Sequence, residues 1–306
     1  MHFQLKTPVV LIIFNRPETT SRVFEEIRKA RPPLLLLVAD GPRSGHSSDV
    51  EQCAEARAIV EQVDWDCEIR KNYSEINLGC GKRVSSGLDW VFNEVEEAII
   101  LEDDCLPHAT FFRYCEELLR RCRNDERISH VSGTNLLFGK KRTEYSYYFS
   151  LFGYIWGWAS WRRSWKNYDV GMNLWPEIRD GGWLGDVLGN KRFVPRWTRI
   201  FEKVHRREID AWAYQWVFHC WIHGRLAISP NVNLVRNIGF GTNATHTTGE
   251  KNKFTQLEME PMDFPLSHPP FLVRDTVSDE DSEMECHTGM DRFLSLLDGI
   301  RRLLGN

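Results

Sequence analysis

The chain has 306 residues, is 42% hydrophobic and 27% charged, and carries a formal net charge of −4. That length fits one large domain, or one domain with an appendage, and the charge excludes bulk cationic attraction to nucleic acid or anionic lipid while leaving room for a local basic pocket. No apolar run approaches the roughly 18 residues of a membrane span, and the opening MHFQLKTP has no signal-peptide design, so a cytoplasmic location is expected.

Val9 to Phe14 (VVLIIF) is a short β-branched run of the kind that fills a parallel sheet. Pro17 stands where a first-turn proline belongs, and Val23, Phe24, Ile27 and Ala30 recur at helical spacing. Leu34 to Ala39 is the second strand, stopped by the turn chemistry of Asp40-Gly41-Pro42. A helix is predicted around Glu51 to Gln62, and Leu88, Val91, Phe92 and Val95 mark another ahead of the strand Ala98 to Leu101. After Pro107, Phe111, Cys115, Leu118 and Cys122 share one helical face. Strand-helix alternation of this kind predicts an open α/β sheet with right-handed crossovers, whose ligands bind at the carboxyl ends of the strands. Asn15-Arg16, Asp40-Gly41 and Glu102-Asp103-Asp104 each follow a strand directly and so fall on one rim.

The middle of the chain has a different character. Of twelve tryptophans, ten lie between Trp156 and Trp221. The basic pairs Arg162-Arg163 and Arg206-Arg207 read as solvated faces. Arg274 to Thr288 is acidic and poor in large apolar residues, which predicts a linker. Beyond it, Phe293, Leu296, Leu297, Ile300, Leu303 and Leu304 recur at helical spacing. Residues 290–304 are therefore expected to form an amphipathic helix that packs on the domain, self-associates or touches a membrane peripherally. The eight cysteines show no CxxC spacing, and reduced, mostly buried thiols are expected.

An apolar strand that ends in Glu102-Asp103-Asp104 needs a physical account. Three adjacent carboxylates repel one another unless they are exposed or neutralised. A hard divalent ion, Mn2+ or Mg2+, held by one or two carboxylates and by phosphate oxygens is one solution; a solvated acidic strand end is the other. Asp40 could accept from a base or ribose, or could simply make an Asx-turn. Arg16 could offer a guanidinium fork to a pyrophosphate, or could pair with Glu18 at the surface.

The chain resembles the GT-A glycosyltransferases, most closely the N-acetylglucosaminyltransferase I type, and is similar to bacterial family 2-like sugar transferases. The stretches that carry the resemblance are VVLIIFNRPETTSRVFEEI, VADGPR, NLGCGKRVSSGLDWVF, IILEDDCLPHATFFRYCEELL, VSGTN, and DAWAYQW running to HGRLAISPNVNLVRNIGFG. They lie within about residues 7 to 246, most of the chain. The resemblance implies a Rossmann-related, open mixed sheet flanked by helices. Residues 1–135 would form the nucleotide-sugar-binding half, and 136–272 the acceptor-binding and catalytic half of the same domain. An acidic linker and amphipathic helix would follow over 273–306.

Roles follow from the same resemblance. Asp104 would bind the metal, Asp103 would serve the ribose or an outer position, and Glu102 the donor sugar hydroxyls. Asp40 would contact the base and Arg16 the donor. Asp210, in the segment from Glu208 to Trp216, reads as the start of a helix. There it would be the general base, its bland alternative being an N-terminal cap. His246, in GFGTNATHT, would reach the metal or the diphosphate, with Gly239, Gly241 and Gly249 as hinges. Core packing must claim most of the tryptophans; Trp156, Trp158 and Trp161 are the first candidates to stack on an acceptor sugar.

The expected function is metal-dependent, inverting transfer of a sugar from a nucleotide-sugar donor, UDP-type favoured, to a carbohydrate or lipid-linked acceptor. A sugar nucleotidyltransferase is a weaker alternative, because it usually opens with a glycine-rich phosphate loop and FNRPET contains no glycine. A non-catalytic carbohydrate-binding protein on the same fold is the other.

Overall fold

The computed structural model describes residues 3–239, 254 and 257–286. Strand β1 (Val9–Ile13) is buried along its whole length, as a continuous β-branched run in a parallel sheet should be. It lies between β2 (Leu34–Ala39) and β4 (Glu97–Glu102), parallel to both, with Ile13 opposite Ala39 and Ile12 opposite Glu102. The three carboxyl ends are therefore level. That registration brings Arg16, Asp40 and the acidic triplet to one rim.

Strand β3 (Glu68–Tyr73) completes the parallel edge against β2. Its sequence, EIRKNY, has no buried residue, and sequence patterning did not reveal it. Past β4 the sheet becomes mixed. Strand β8 (Trp158–Trp161) pairs antiparallel with β4 and with β6 (Ile128–Ser132). Next come β9 (Leu226–Pro230), parallel to β6, and β7 (Tyr147–Ser150), antiparallel to β9. The order is β3-β2-β1-β4-β8-β6-β9-β7. One sheet thus crosses from the first half of the chain to the second, the open mixed α/β sheet expected of a GT-A-like fold. A two-stranded ladder of β5 (Cys105–Pro107) and β10 (Val235–Asn237) sits apart from it.

Alternate side chains of β1 enter opposite cores. Val9, Leu11 and Ile13 join residues of α1 (Pro17–Ala30), α2 (Ser47–Val60) and α4 (Thr110–Cys122). Val10 and Ile12 face α3 (Cys80–Glu94) and the helical layer of the second half. That layer comprises α5 (Arg162–Trp165), α6 (Trp175–Asp180), α7 (Leu184–Leu188), α8 (Val194–His205) and α9 (Ala213–Ile222). Trp158, Trp165, Trp175, Trp197, Trp212, Trp216 and Trp221 are buried in this second core. Truncating such an indole to alanine costs about 3–5 kcal/mol. Among the described residues no helix is long and apolar enough to cross a membrane. The eight cysteines are unpaired, and six are buried.

The linker expected after residue 273 is corrected over its described part. Residues 276–286 are helical, with Ser278, Asp279, Ser282 and Glu283 all buried. Their charges are met by arginines: Arg274 Nε lies 2.7 Å from Asp279, and Arg196 pairs with Glu283 in the interior. Ser150 and the Leu151 N–H also donate to Asp279. Acidity that would solvate an isolated segment is here neutralised across a packed interface. The stripe over 290–304 lies outside the described residues.

Candidate functional site

Glu102 closes β4, and the chain then turns so that its two aspartates face the end of β1. Asp103 Oδ2 accepts the Phe14 N–H at 3.0 Å. Arg16 caps the start of α1 with its carbonyl, which accepts from Thr20 N at 3.0 Å, and Pro17 follows at the first helical position. Its guanidinium points back at the triplet, with Nη1 2.6 Å from Asp104 Oδ2 and 3.6 Å from Asp103 Oδ1. Glu18 is not its partner in these contacts.

One guanidinium does not balance three carboxylates. Burial, then Asp104 and Asp103, push the Glu102 carboxyl up to about 8. Burial pushes Asp103 up to about 6 in spite of Arg16. Burial alone would lower Arg16, but Asp103 and Asp104 hold it above its ordinary value. The rim therefore keeps an excess of negative charge that a divalent cation would relieve.

The donors fit such an ion in kind, being oxygens only. Among the described residues, however, no three His, Cys, Asp or Glu side chains converge as a ready-made cage. Mg2+-type sites commonly use one or two carboxylates and complete their shell with substrate phosphates and water. Asp104, whose Oδ2 lies 2.6 Å from Arg16 Nη1, could be such a carboxylate. The β5–β10 ladder brings Gly239 against it, where a Cβ would come within 2.4 Å of Asp104 Oδ2. His246, Gly241 and Gly249 lie outside the described residues.

Asp40, at the end of β2, faces the cavity but spends its oxygens on the protein. It accepts from Leu78 N and Gly41 N at 2.9 Å each, Asn77 Nδ2 at 3.0 Å and Gly79 N at 3.2 Å. Burial raises its carboxyl above the ordinary range against these bonds. Asp40 thereby fastens the 77–79 loop to the sheet.

Asp210 is exposed and lies ahead of α9, whose N-terminal cap is Trp212. The expectation that it starts its own helix is corrected. Its Oδ1 accepts the Gly81 N–H at 2.9 Å, so it caps α3 from a distance of 129 residues in sequence. The unpaired N–H groups at that helix start favour a negative side chain there. The glycines of NLGCG make room for it. A Cβ on Gly79, which has φ +78°, or on Gly81 would fall 2.6 Å from an Asp210 oxygen.

These groups line one cavity of about 370 Å³, of the size of small-ligand sites. Arg16, Asp40, Glu102, Asp103, Asp104 and Asp210 all reach it, and half-buried Trp156 forms part of its wall. Trp158 and Trp161 do not. They are 0% and 2% exposed on β8, one in each core, which corrects their assignment to acceptor stacking. Strand alternation and burial on both faces of the sheet take them out of reach of any sugar.

The cavity also holds residues that sequence reasoning passed over, chiefly Arg43, Asn77, Arg83 and Asn237. Arg43 is gripped by buried Asp49, with Nε 2.7 Å from Oδ2 and Nη2 2.9 Å from Oδ1. Hydrogen bonding from Arg43 holds the Asp49 carboxyl well below the usual range. Arg83 is buried and donates to Asn72 Oδ1 at 2.6 Å. The signal was present: these residues stand in DGPR, NLGCGKR and LVRN, stretches that carried the resemblance.

No protein-family model and no curated protein matches the sequence. Solved structures overlap it loosely. One is mouse xyloside xylosyltransferase 1 in its apo form, with 10% identity, 70% of this chain and 81% of that chain covered, and a TM-score of 0.36. Another is a UDP-glucose pyrophosphorylase complexed with UDP-glucose, with 12% identity over 48% of this chain, and a TM-score of 0.28. The aligned part spans 62% of that pyrophosphorylase chain. Superpositions this loose carry no argument about activity.

Proposed function

We propose that the protein is a metal-dependent, inverting glycosyltransferase that moves a sugar from a nucleotide-sugar donor, UDP-type favoured, to a carbohydrate or lipid-linked acceptor. The observation that carries the reading is the convergence of the Glu102–Asp104 rim and the distant Asp210 on one cavity. Mn2+ or Mg2+ bound there would neutralise charge on the departing diphosphate. Asp104 would hold it, with Arg16 fixing the Asp103–Asp104 pair beneath.

Asp210 acts as the general base. It takes the proton from an acceptor hydroxyl as that oxygen attacks the anomeric carbon. The bond from that carbon to the diphosphate oxygen breaks, and the nucleoside diphosphate leaves with the bonding pair. A single displacement inverts the anomeric centre. Arg43, Asn77 and Arg83 surround the donor's nucleoside end together with Asp40, and Trp156 offers its indole to a sugar face.

The test is a transfer and donor-hydrolysis assay across nucleotide sugars with Mn2+, Mg2+ or chelator. Turnover that needs the ion, and an anomerically inverted product, support the reading. Nucleotide-sugar binding without turnover on any acceptor class would make the protein a binding module. Release of pyrophosphate from a sugar phosphate and a nucleoside triphosphate would make it a nucleotidyltransferase.

A further inference from the structure

The acidic rim already carries a cation of its own. Arg16 Nη1 stands 2.6 Å from Asp104 Oδ2, on the carboxylate to which the metal ion is assigned above. Asp104 Oδ1 accepts from the Cys105 thiol at 3.4 Å, so both oxygens are engaged. Asp103 is committed as well, with Oδ2 on the Phe14 N–H and Oδ1 3.6 Å from the same guanidinium nitrogen. The Arg16–Asp104 pair is sheltered, its two side chains being 23% and 16% exposed.

The segment 237–239 closes over this contact. Ile238 N donates to the Asp104 carbonyl at 2.8 Å, and Gly239 N to Asn237 Oδ1 at 2.9 Å. A Cβ on Gly239 would lie 2.4 Å from Asp104 Oδ2 and 2.8 Å from Arg16 Nη1, so only glycine lets the backbone sit this close. A small divalent ion takes a carboxylate oxygen at about 2.0–2.1 Å. Seated on Oδ2 with the guanidinium still in place, it would face a second positive charge within about 5 Å. The guanidinium can withdraw without moving the main chain. The Arg16 carbonyl is fixed at the start of α1 by Thr20 N at 3.0 Å and Thr20 Oγ1 at 2.7 Å.

We propose that Arg16 is the resident counter-ion of the rim and competes with the divalent metal for Asp104 Oδ2. Entry of the ion drives the guanidinium off that oxygen and leaves it with Asp103. Arg16 thereby holds the affinity for the bare ion low, and phosphate oxygens of the arriving nucleotide supply the ligands that complete its shell. The same side chain spares the carboxylates from facing one another uncompensated before the ion arrives. The inference rests on the metal-dependent reading above, and it assigns to Arg16 the setting of metal affinity.

Calorimetric titration of the full chain with Mn2+, without nucleotide, tests it. Arg16→Gln removes the competing charge and should bind Mn2+ at least about tenfold more tightly than the parent. Arg16→Lys keeps a cation and should stay near the parent. In the double variant Arg16→Gln/Asp104→Asn the gain should disappear, which locates the competition at that carboxylate. A purely structural ion pair predicts the reverse, with Mn2+ affinity in Arg16→Gln equal to the parent's or lower, and either result would overturn the proposal. Mn2+ binding that needs Asp104 but is equal in parent and Arg16→Gln would sink this inference alone. No Mn2+ binding to either protein, with or without UDP, would remove the metal-dependent reading and the inference together. Should Arg16→Gln unfold in metal-free buffer, Mn2+ should restore its fold, and failure to restore it would count equally against the competition.

Discussion

Asp210 carries the sharpest prediction. In Asp210→Asn the amide oxygen can still accept from Gly81 N, so the cap on α3 is kept and the fold should be too. An amide cannot take a proton from the acceptor. Turnover should fall about 10²- to 10⁴-fold while calorimetry shows donor binding near the parent's. Turnover within about threefold of the parent, well short of that range, would leave Asp210 as a cap and nothing more. Asp104 calls for a different measurement. Asp104→Asn removes one oxygen charge from the metal position and weakens the 2.6 Å ion pair with Arg16. Nucleoside-diphosphate binding in Mn2+ should weaken, and metal-free binding should barely change. Identical Mn2+ dependence in mutant and parent would move the ion elsewhere.

At the scale of elements, the acidic helix 276–286 is held by ion pairs that an exposed linker would not need. Asp279 is completely buried, and Arg274 is its salt-bridge partner. Arg274→Met leaves the carboxylate without that charge. The expected cost is about 3 kcal/mol, the low end for a broken buried pair because Arg274 is partly exposed. Urea unfolding reads this directly. A change under about 0.5 kcal/mol, the scale of an ordinary surface substitution, would show that the helix contributes little. Loop placement follows the same logic. The β5–β10 ladder is what carries Gly239 to Asp104, and neither strand is long enough to announce itself in the sequence.

Across the whole molecule, pH acts through buried histidines as well as through the site. Burial holds His130 at about 3 and His219 at about 4. In the unfolded chain a histidine takes its proton near about 6.5. Between those values only the unfolded state is protonated. Stability from this source is complete above about pH 6.5 and is lost as pH falls, by up to about 1.4 kcal/mol per pH unit for each histidine. Glu102 and Asp103, raised by burial, act with the opposite sign, and a parent-variant difference cancels their share. The melting temperature of His130→Gln should therefore drop less than the parent's between about pH 7 and about pH 5. Parallel curves would mean that His130 is not the group that resists protonation.

The residues themselves determined the parallel core of the sheet, because strands buried on both faces must be continuous apolar runs, and Val9 to Phe14, Leu34 to Ala39 and Ala98 to Leu101 are such runs. The rim followed, since Arg16, Asp40 and Glu102 to Asp104 stand directly after those strands. Edge strand β3 escaped because an edge need not be apolar. Only the tertiary structure decided that Trp158 and Trp161 turn into the cores while Trp156 meets the cavity, because indoles close together in sequence look alike until the sheet assigns their faces. It alone gave Asp210 its seat on α3 and the acids of 276–286 their arginines. Both depend on pairs lying far apart along the chain, 129 positions for Gly81 and Asp210 and 87 for Arg196 and Glu283. Whether a carboxylate is a cap, a base or half of a buried ion pair depends on which group the fold places beside it, and no local pattern of residues contains that information.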